Sequence, residues 1–320
     1  MEGYHMKKIL LNGVDGNFGS FAAKVLLEKW PHEDLIFAAP TENGLKKYKE
    51  MGIETRVANF NDEDGLAEAF ESVDTMILIS MPFVGPKRRA AQKKAVDAAV
   101  KAGVNRIVYT SIVGAGDPDI DTYEVNDHVW FESYVKEQPI HYVFLRDSQY
   151  AEAMVSNYIN AYENTGNVLA NNMGEGKMAY ISRDDCALAC AYAAMSDYSD
   201  RVVEVNGAEL LTIAEYIAIA NEVTGHAVKY EEIDDDEQYA FFDSIGVPRT
   251  TEEMWAQTAT NFPFCSDGMV TFGRAIRQGQ MSTFTNDFEE LTGQKPMSVK
   301  YLFENMNDYL IGARTSTDDE

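Results

Sequence analysis

Short apolar runs alternate with amphipathic stretches at nearly constant spacing through the first half of the chain. The apolar runs fall at 9–11, 35–39, 54–58, 76–79, 107–110 and 142–145, and helical periodicity fills 18–29, 44–51, 63–70, 88–102 and 125–137. The runs are rich in Val, Ile and Leu and do not alternate with polar residues, so they predict strands covered on both faces. Strand and helix in strict turn predict an α/β fold with a doubly wound parallel sheet. Six strands in about 140 residues is the size of a complete dinucleotide-binding sheet.

Beyond Arg146 the rhythm loosens. A helix is predicted over 148–162, turns at Gly166, Gly174 and Gly176, a helix over 183–195 and a strand over 202–205. Thr212 followed three residues later by Glu215 forms a capping box, which opens a helix running to Thr224. Helices are also predicted over 234–245 and 296–311. The expected organisation is a nucleotide-binding domain over 1–150, a smaller α+β substrate lobe over 151–311 and a disordered acidic tail over 312–320.

Composition narrows the function classes. Lysine and arginine number 27 against 52 aspartates and glutamates, a net charge of −25. Nucleic acid needs a basic footprint, so it is excluded as a partner, and an anionic membrane surface is disfavoured. There is no apolar run of about 18 residues to span a bilayer, and the segment before the first strand has no signal-peptide core. The three cysteines, Cys186, Cys190 and Cys265, are an odd set without neighbouring histidines. They read as packing residues of a cytoplasmic protein, with no disulfide framework and no metal site.

The strongest motif is Gly13-Val14-Asp15-Gly16-Asn17-Phe18-Gly19, placed directly after the first strand and opening the first helix. In that context Gly13 allows a tight turn, Gly16 lets backbone amides approach a pyrophosphate, and Gly19 lets the helix lie close to the sheet. The helix N-terminus adds amide donors and a positive dipole end. The motif makes this a Rossmann-type sheet with a dinucleotide site.

The G-x-x-G-x-x-G spacing resembles that of extended and atypical short-chain reductases. The Tyr-x-x-x-Lys base of such enzymes has its match here in Tyr4 and Lys8, ahead of the first strand and out of reach of a nicotinamide. Further stretches in order are Ala58-Asn59-Phe60-Asn61-Asp62, Leu78-Ile79-Ser80, Tyr109-Thr110-Ser111, His128 with Glu132, Leu145-Arg146 with Tyr150, Gly174-Glu175-Gly176-Lys177 and Leu291 to Pro296. Together they resemble the NmrA-like atypical short-chain reductases, nearest in look to the type 2 quinone reductase branch, with isoflavone and pinoresinol-lariciresinol reductases as cousins.

The resemblance implies an enzyme that binds NADH or NADPH. Residues 13–19 would hold the pyrophosphate, with Thr41 among the cofactor contacts. Asn59 and Phe60 would flank the adenine, Ile79, Ser80 and Met81 the ribose, and Thr110 and Ser111 the nicotinamide ribose. Relatives that use NADPH often place an Arg after the second strand; this chain reads Ala38-Ala39-Pro40-Thr41-Glu42 there. Glu42 is suited to ribose hydroxyls, which tilts the expectation to NADH, although Lys46 and Lys47 are near enough for a phosphate.

The same resemblance puts His128 at the catalytic position, as the acid that protonates an oxygen during hydride transfer. Glu132, one helical turn on, would orient it. Without the resemblance a surface histidine is the better reading. Tyr150 stands either as a hydrogen-bond donor in the cleft or as a packing tyrosine. His5 and His32 read as exposed, His141 and His226 as structural. Met81, Pro82, Phe83, Trp130, Phe131, Phe262 and Phe264 suggest an aromatic-lined pocket. The expected function is hydride transfer to a hydrophobic aromatic acceptor: a quinone, an enone or a lignan-type benzyl ether. A nucleotide-sensing regulator with little turnover is the alternative, and an epimerase is disfavoured by the missing Tyr/Lys base. A homodimer stays open.

Overall fold

The computed structural model describes residues 7–82, 84–252 and 264–311. Tyr4, His5, Phe83, Phe262 and the 312–320 tail lie outside the described residues. The strands are β1 (Ile9–Asn12), β2 (Leu35–Ala39), β3 (Glu54–Val57), β4 (Thr75–Leu78), β5 (Arg106–Ile112), β6 (His141–Asp147), β7 (Val168–Asn171), β8 (Arg201–Val205) and β9 (Lys229–Glu232). The helices of the first half are α1 (Asn17–Lys29), α2 (Glu42–Glu50), α3 (Glu63–Ala69), α4 (Pro86–Ala102) and α5 (Tyr123–Lys136). Those of the second half are α6 (Ala151–Asn164), α7 (Arg183–Met195), α8 (Ile213–Thr224), α9 (Asp235–Ser244), α10 (Ser266–Arg277), α11 (Asp287–Thr292) and α12 (Val299–Glu304).

Seven strands form one parallel sheet in the order β3-β2-β1-β4-β5-β6-β8. Successive side chains point to opposite faces. Ile9, Leu11 and Phe37 pack under α1, α2 and α7, whereas Leu10, Ile36 and Met76 pack under α3, α4 and α5. Burial on both faces explains the unbroken apolar runs of the sequence, but β3 at the sheet edge departs from that expectation, with a polar Glu-Thr-Arg-Val sequence and no buried residue. The chain leaves β1 for β2 on one side and returns to β4 on the other. The order therefore reverses between β1 and β4, and in open α/β sheets ligands bind beyond the carboxyl ends of the strands at that reversal.

The second half does not separate from the first. β8 extends the main sheet by pairing with β6, and α7 packs on α1. Arg106, buried at the start of β5, donates to the carbonyls of Ala194 at 2.7 Å and Ser196 at 2.9 Å, tying the end of α7 to the sheet. The expected division at residue 150 is thus crossed by two elements. Helices α6, α8, α10 and α12 enclose a separate core containing Met154, Tyr158, Tyr180, Tyr216 and Phe303. Here β7 and β9 form a small parallel sheet that the apolar pattern did not foretell, since β9 reads Lys-Tyr-Glu-Glu and its outer residues are exposed. The capping box of Thr212 and Glu215 is present. The single helix predicted over 296–311 is replaced by α12 and a short 3₁₀ turn, Met306–Asp308.

Candidate active site

The glycine turn sits at the reversal point. Gly13 adopts φ +73°, a left-handed value costly for side chains, and its carbonyl accepts from the Gly16 amide at 3.2 Å. Gly19 is buried against that same carbonyl: a Cβ at 19 would lie 1.9 Å from it. Gly16 differs from both. Its φ of −82° and ψ of 165° suit any residue, and a Cβ there would meet nothing closer than 3.6 Å. Neither backbone strain nor internal packing requires glycine at 16. What it leaves is an open face over the first turn of α1, whose N-cap supplies no side-chain bond to the amides. A cradle that a Cβ would fill, facing amides and a positive dipole end, fits a diphosphate. Val14 is tied down on both sides, its amide donating to Ala38 at 3.2 Å and its carbonyl accepting from the Tyr48 hydroxyl at 3.1 Å.

The other expected nucleotide contacts lie along the same sheet edge. Thr41 caps α2, and the side chains of Asp15 and Ala39 both lie against Gly44 in the first turn of α2. Glu42 is exposed and pairs with Lys49 at 3.4 Å. Asn59 turns its side-chain oxygen onto the Asn61 amide, and Phe60 packs on the sheet's second face. Beyond β4, the Ser80 amide donates to Thr110 Oγ1 at 2.8 Å, and Thr110 donates to Ser80 Oγ at 3.1 Å. Ile79 approaches Gly13, and the Met81 amide donates to Gln92 at 2.9 Å.

A cleft of about 260 Å³ opens beyond β4, β5 and β6. Its polar wall includes Ser80, Ser111, His128, Glu124 and Asp147; its apolar wall includes Ile112, Tyr150, Met269 and Phe272. That is room for an aromatic ring, since a cavity of about 150 Å³ takes benzene. Helix α5 presents Glu124, His128 and Glu132 at four-residue intervals along one face. Thr122 starts the helix, its side chain accepting from the Val125 amide at 3.1 Å.

His128 is buried, and both ring nitrogens are engaged. Arg88 donates to Nε2 at 2.8 Å, and Nδ1 lies 2.9 Å from the Tyr109 hydroxyl. Arg88 has no acceptor atom, so Nε2 must accept, and the proton of the neutral ring sits on Nδ1, facing Tyr109. Burial first, and the Arg88 charge second, hold the imidazole well below its ordinary value. Arg88 also lies 2.8 Å from the Asp127 carboxylate and donates to the Met81 carbonyl at 2.9 Å, joining α5 to the loop after β4. Burial pushes the Tyr109 phenol up to about 12.

Glu132 does not touch His128. Its carboxylate accepts from Arg146 at 3.0 and 2.8 Å and from Ser111 Oγ at 2.7 Å. The helical spacing was right, but Arg146 outcompetes a neutral imidazole for a buried carboxylate. Tyr150 does line the cleft, as the residue before α6, and burial followed by the Asp147 charge raises its phenol well above the ordinary value. Trp130 and Phe131 do not line it. Trp130 stacks on Tyr134 outside, with Arg89 over its ring, and Phe131 lies in the core against Tyr109. Phe264 packs with Phe242 and Val270. The apolar wall comes instead from α10, which the sequence pattern did not single out.

Sequence reasoning also passed over three polar groups, the buried Arg88 and Asp147 and the half-buried Glu124. Both oxygens of Asp147 lack hydrogen-bond partners, and burial raises its carboxyl well above the ordinary range. Glu124 Oε2 is likewise buried without a partner, and burial pushes this carboxyl up to about 7. Glu124 had a legible signal, for it stands one helical turn before His128 on the same face.

Known proteins resemble the chain in sequence and in fold. The chain is 26% identical over 251 residues to quinone oxidoreductase 2 of Escherichia coli, covering 78% of this chain and 86% of that protein. The structure of an Escherichia coli NADPH-dependent quinone oxidoreductase in complex with NADPH superposes with a TM-score of 0.81 at 22% identity, covering 93% of this chain and 99% of that one. A triphenylmethane reductase from Citrobacter complexed with NADP(H) gives 0.79 at 22% identity, over 93% and 99% of the two chains. A structure of AtPrR2 with NADP+ and (+)pinoresinol gives 0.74 at 15% identity, over 95% and 99%. The model of the NmrA-like family matches residues 5–265. The chain belongs to the NmrA-like family.

Proposed function

We propose that the protein is an NAD(P)H-dependent oxidoreductase that delivers hydride to a hydrophobic aromatic acceptor bound in the cleft beyond β4, β5 and β6. The observation that carries this reading is that one sheet edge holds both a glycine turn with an open face at the start of α1, whose N-cap Gly16 has no side chain, and, two strands away, an apolar cleft with a polar floor. Strands are spaced about 4.8 Å apart, so turn and cleft lie roughly 10 Å from each other, within the span of one extended dinucleotide. Residues 13–19 hold the diphosphate, and Ser80, Thr110 and Ser111 face the ribose and nicotinamide side. The bound cofactor supplies the hydride.

The protein's own groups do the rest. Met269, Phe272 and Ile112 exclude water and seat a planar ring, and Tyr150 orients it. Arg88, held by Asp127, fixes His128 and the loop after β4, so the cleft's polar floor is set before substrate arrives. Quinones, enones and lignan-type benzyl ethers are the acceptor classes this cleft suits. The relatives named above act on or bind aromatic compounds, which supports the class without choosing a member. A preference for NADH is proposed on Asp15 and Glu42 at the end of β2, where no Arg is available for a phosphate; the nucleotides named for the relatives are NADPH and NADP(H).

The test is purified protein mixed with NADH or NADPH and a panel of quinones, enones and benzyl ethers, followed by loss of reduced-nicotinamide absorbance. Turnover with at least one aromatic acceptor supports the proposal. Tight nucleotide binding with no turnover on any acceptor favours the sensor instead.

A further inference from the structure

The cleft must supply a proton to accompany the hydride, and its lining offers several acids. His128 is poorly placed for this: Nε2 accepts from Arg88, and the single proton of the neutral ring faces Tyr109. Glu132 has both oxygens engaged by Arg146 and Ser111. Asp147 and Tyr150 also line the cleft, but Asp147 is buried as a whole residue with no open path to water, Tyr150 serves to orient the ring, and burial raises both groups above their ordinary values. Glu124 remains.

Resting on the reductase reading above, we propose that the carboxylic acid of Glu124 is the proton donor of the cleft. Four features of the geometry support it. The side chain lines the cleft one helical turn before His128. Its Oε2 is buried and has no hydrogen-bond partner, so nothing in the protein competes for that atom. Gly268 lets α10 close against its other oxygen, for a Cβ at 268 would sit 1.9 Å from Oε1. The residue as a whole keeps partial exposure, which gives it a route to regain a proton from water.

Its surroundings pull both ways: after burial, the largest influence is a hydrogen bond from its own backbone, which favours the ionised form. Arg88 of α4 favours the ionised form, as does the N-terminal end of α10, while Asp127 of α5 and Asp267 of α10 oppose it. Burial dominates and places the carboxyl at about 7, where it is protonated often enough to give a proton and ionised often enough to release one. In the step itself, hydride from the reduced nicotinamide forms a new bond at the acceptor. An electron pair moves onto the acceptor oxygen, by opening of a quinone π system or by cleavage of a benzylic C–O bond. That oxygen takes the proton from Glu124, which is left as a carboxylate and is reprotonated by water. The acceptor gains two electrons and two hydrogens, and the nicotinamide is oxidised.

The test uses Glu124→Gln, which keeps the shape and removes the transferable proton. With an acceptor that the wild type reduces, kcat should fall by about 10²- to 10⁴-fold, the usual contribution of a general acid. Nucleotide Kd by calorimetry should stay the same. Wild-type kcat should decline as pH rises through about 7, and the variant should lack that limb. An infrared difference spectrum between wild type and variant, taken without cofactor, should show a protonated carboxyl band that fades over the same range. Gly268→Ala, which displaces the carboxyl from the other side, should also lower kcat. Unchanged kcat in Glu124→Gln beside an active wild type overturns the donor role alone. A wild type that reduces no acceptor overturns the reductase reading, and the donor role with it.

Discussion

The three glycines of the turn make separable predictions, because different physics requires each. At Gly16, alanine introduces no internal clash, its nearest contact being 3.6 Å away. Alanine is a poorer N-cap by about 0.5–1.5 kcal/mol, and the loss is offset by about 0.4–1 kcal/mol from a stiffer unfolded chain. Stability should therefore move by less than about 1 kcal/mol, on the order of 2 °C in Tm for a chain of this size. Binding should not be spared. The methyl group enters the space over the α1 amides, and losing one charged hydrogen bond of about 1.5–3 kcal/mol weakens Kd by about 10- to 150-fold. At Gly19 the same substitution meets the Gly13 carbonyl at 1.9 Å and must move to at least 3.0 Å. That displacement of about 1.1 Å costs about 1–3 kcal/mol of overpacking, which exceeds the roughly 1 kcal/mol gained in helix propensity. Thermal unfolding and calorimetric titration with NADH and NADPH measure both effects. Gly16→Ala binding either nucleotide as tightly as the wild type would refute the reasoning.

Other perturbations test other parts of the account. Glu132→Ala strips Arg146 of its main partner inside the fold and should destabilise the protein by about 3–5 kcal/mol, read from denaturant midpoints. His128→Gln keeps an acceptor for Arg88 and removes a group whose native pKa is depressed. The unfolded state binds the extra proton below about pH 6.5, so wild-type stability should drop relative to the variant by about 1.4 kcal/mol per pH unit as pH falls through that range. A difference that stays flat down to pH 5 would mean that the buried ring protonates freely. Glu42→Arg places a guanidinium after β2 and should shift the NADPH to NADH affinity ratio by about tenfold towards NADPH, worth about 1.4 kcal/mol.

Much of the scaffold was legible because buried parallel strands leave a simple trace. Except for β3, which reads Glu-Thr-Arg-Val and has no buried residue, the runs from Ile9 to Leu145 are apolar on both faces, and each marks a strand to within a residue or two. The glycine turn was legible because position, spacing and neighbouring strand all agree, and the capping box at Thr212 is purely local. The site was less open to reading, because its roles are assigned by residues remote in sequence. Which nitrogen of His128 carries the proton is decided by Arg88, forty residues away, and the partner of Glu132 is Arg146 on β6. Helical spacing could place Glu124, His128 and Glu132 on one face, but it could not say that only the first keeps an unpartnered oxygen. β9 escaped notice for a different reason: an exposed Lys-Tyr-Glu-Glu strand carries no hydrophobic signal.

The central claim is that the bend between β1 and α1 seats a diphosphate, with the nicotinamide end reaching the cleft beyond β4, β5 and β6. A crystal structure with a reduced nicotinamide nucleotide tests it most directly. The account predicts phosphate oxygens within hydrogen-bonding distance of the first-turn amides of α1, and a nicotinamide ring beside Ser80 and Ser111. A nucleotide seated elsewhere, for instance in the depression beside Lys24, Lys47 and Arg183, would contradict it.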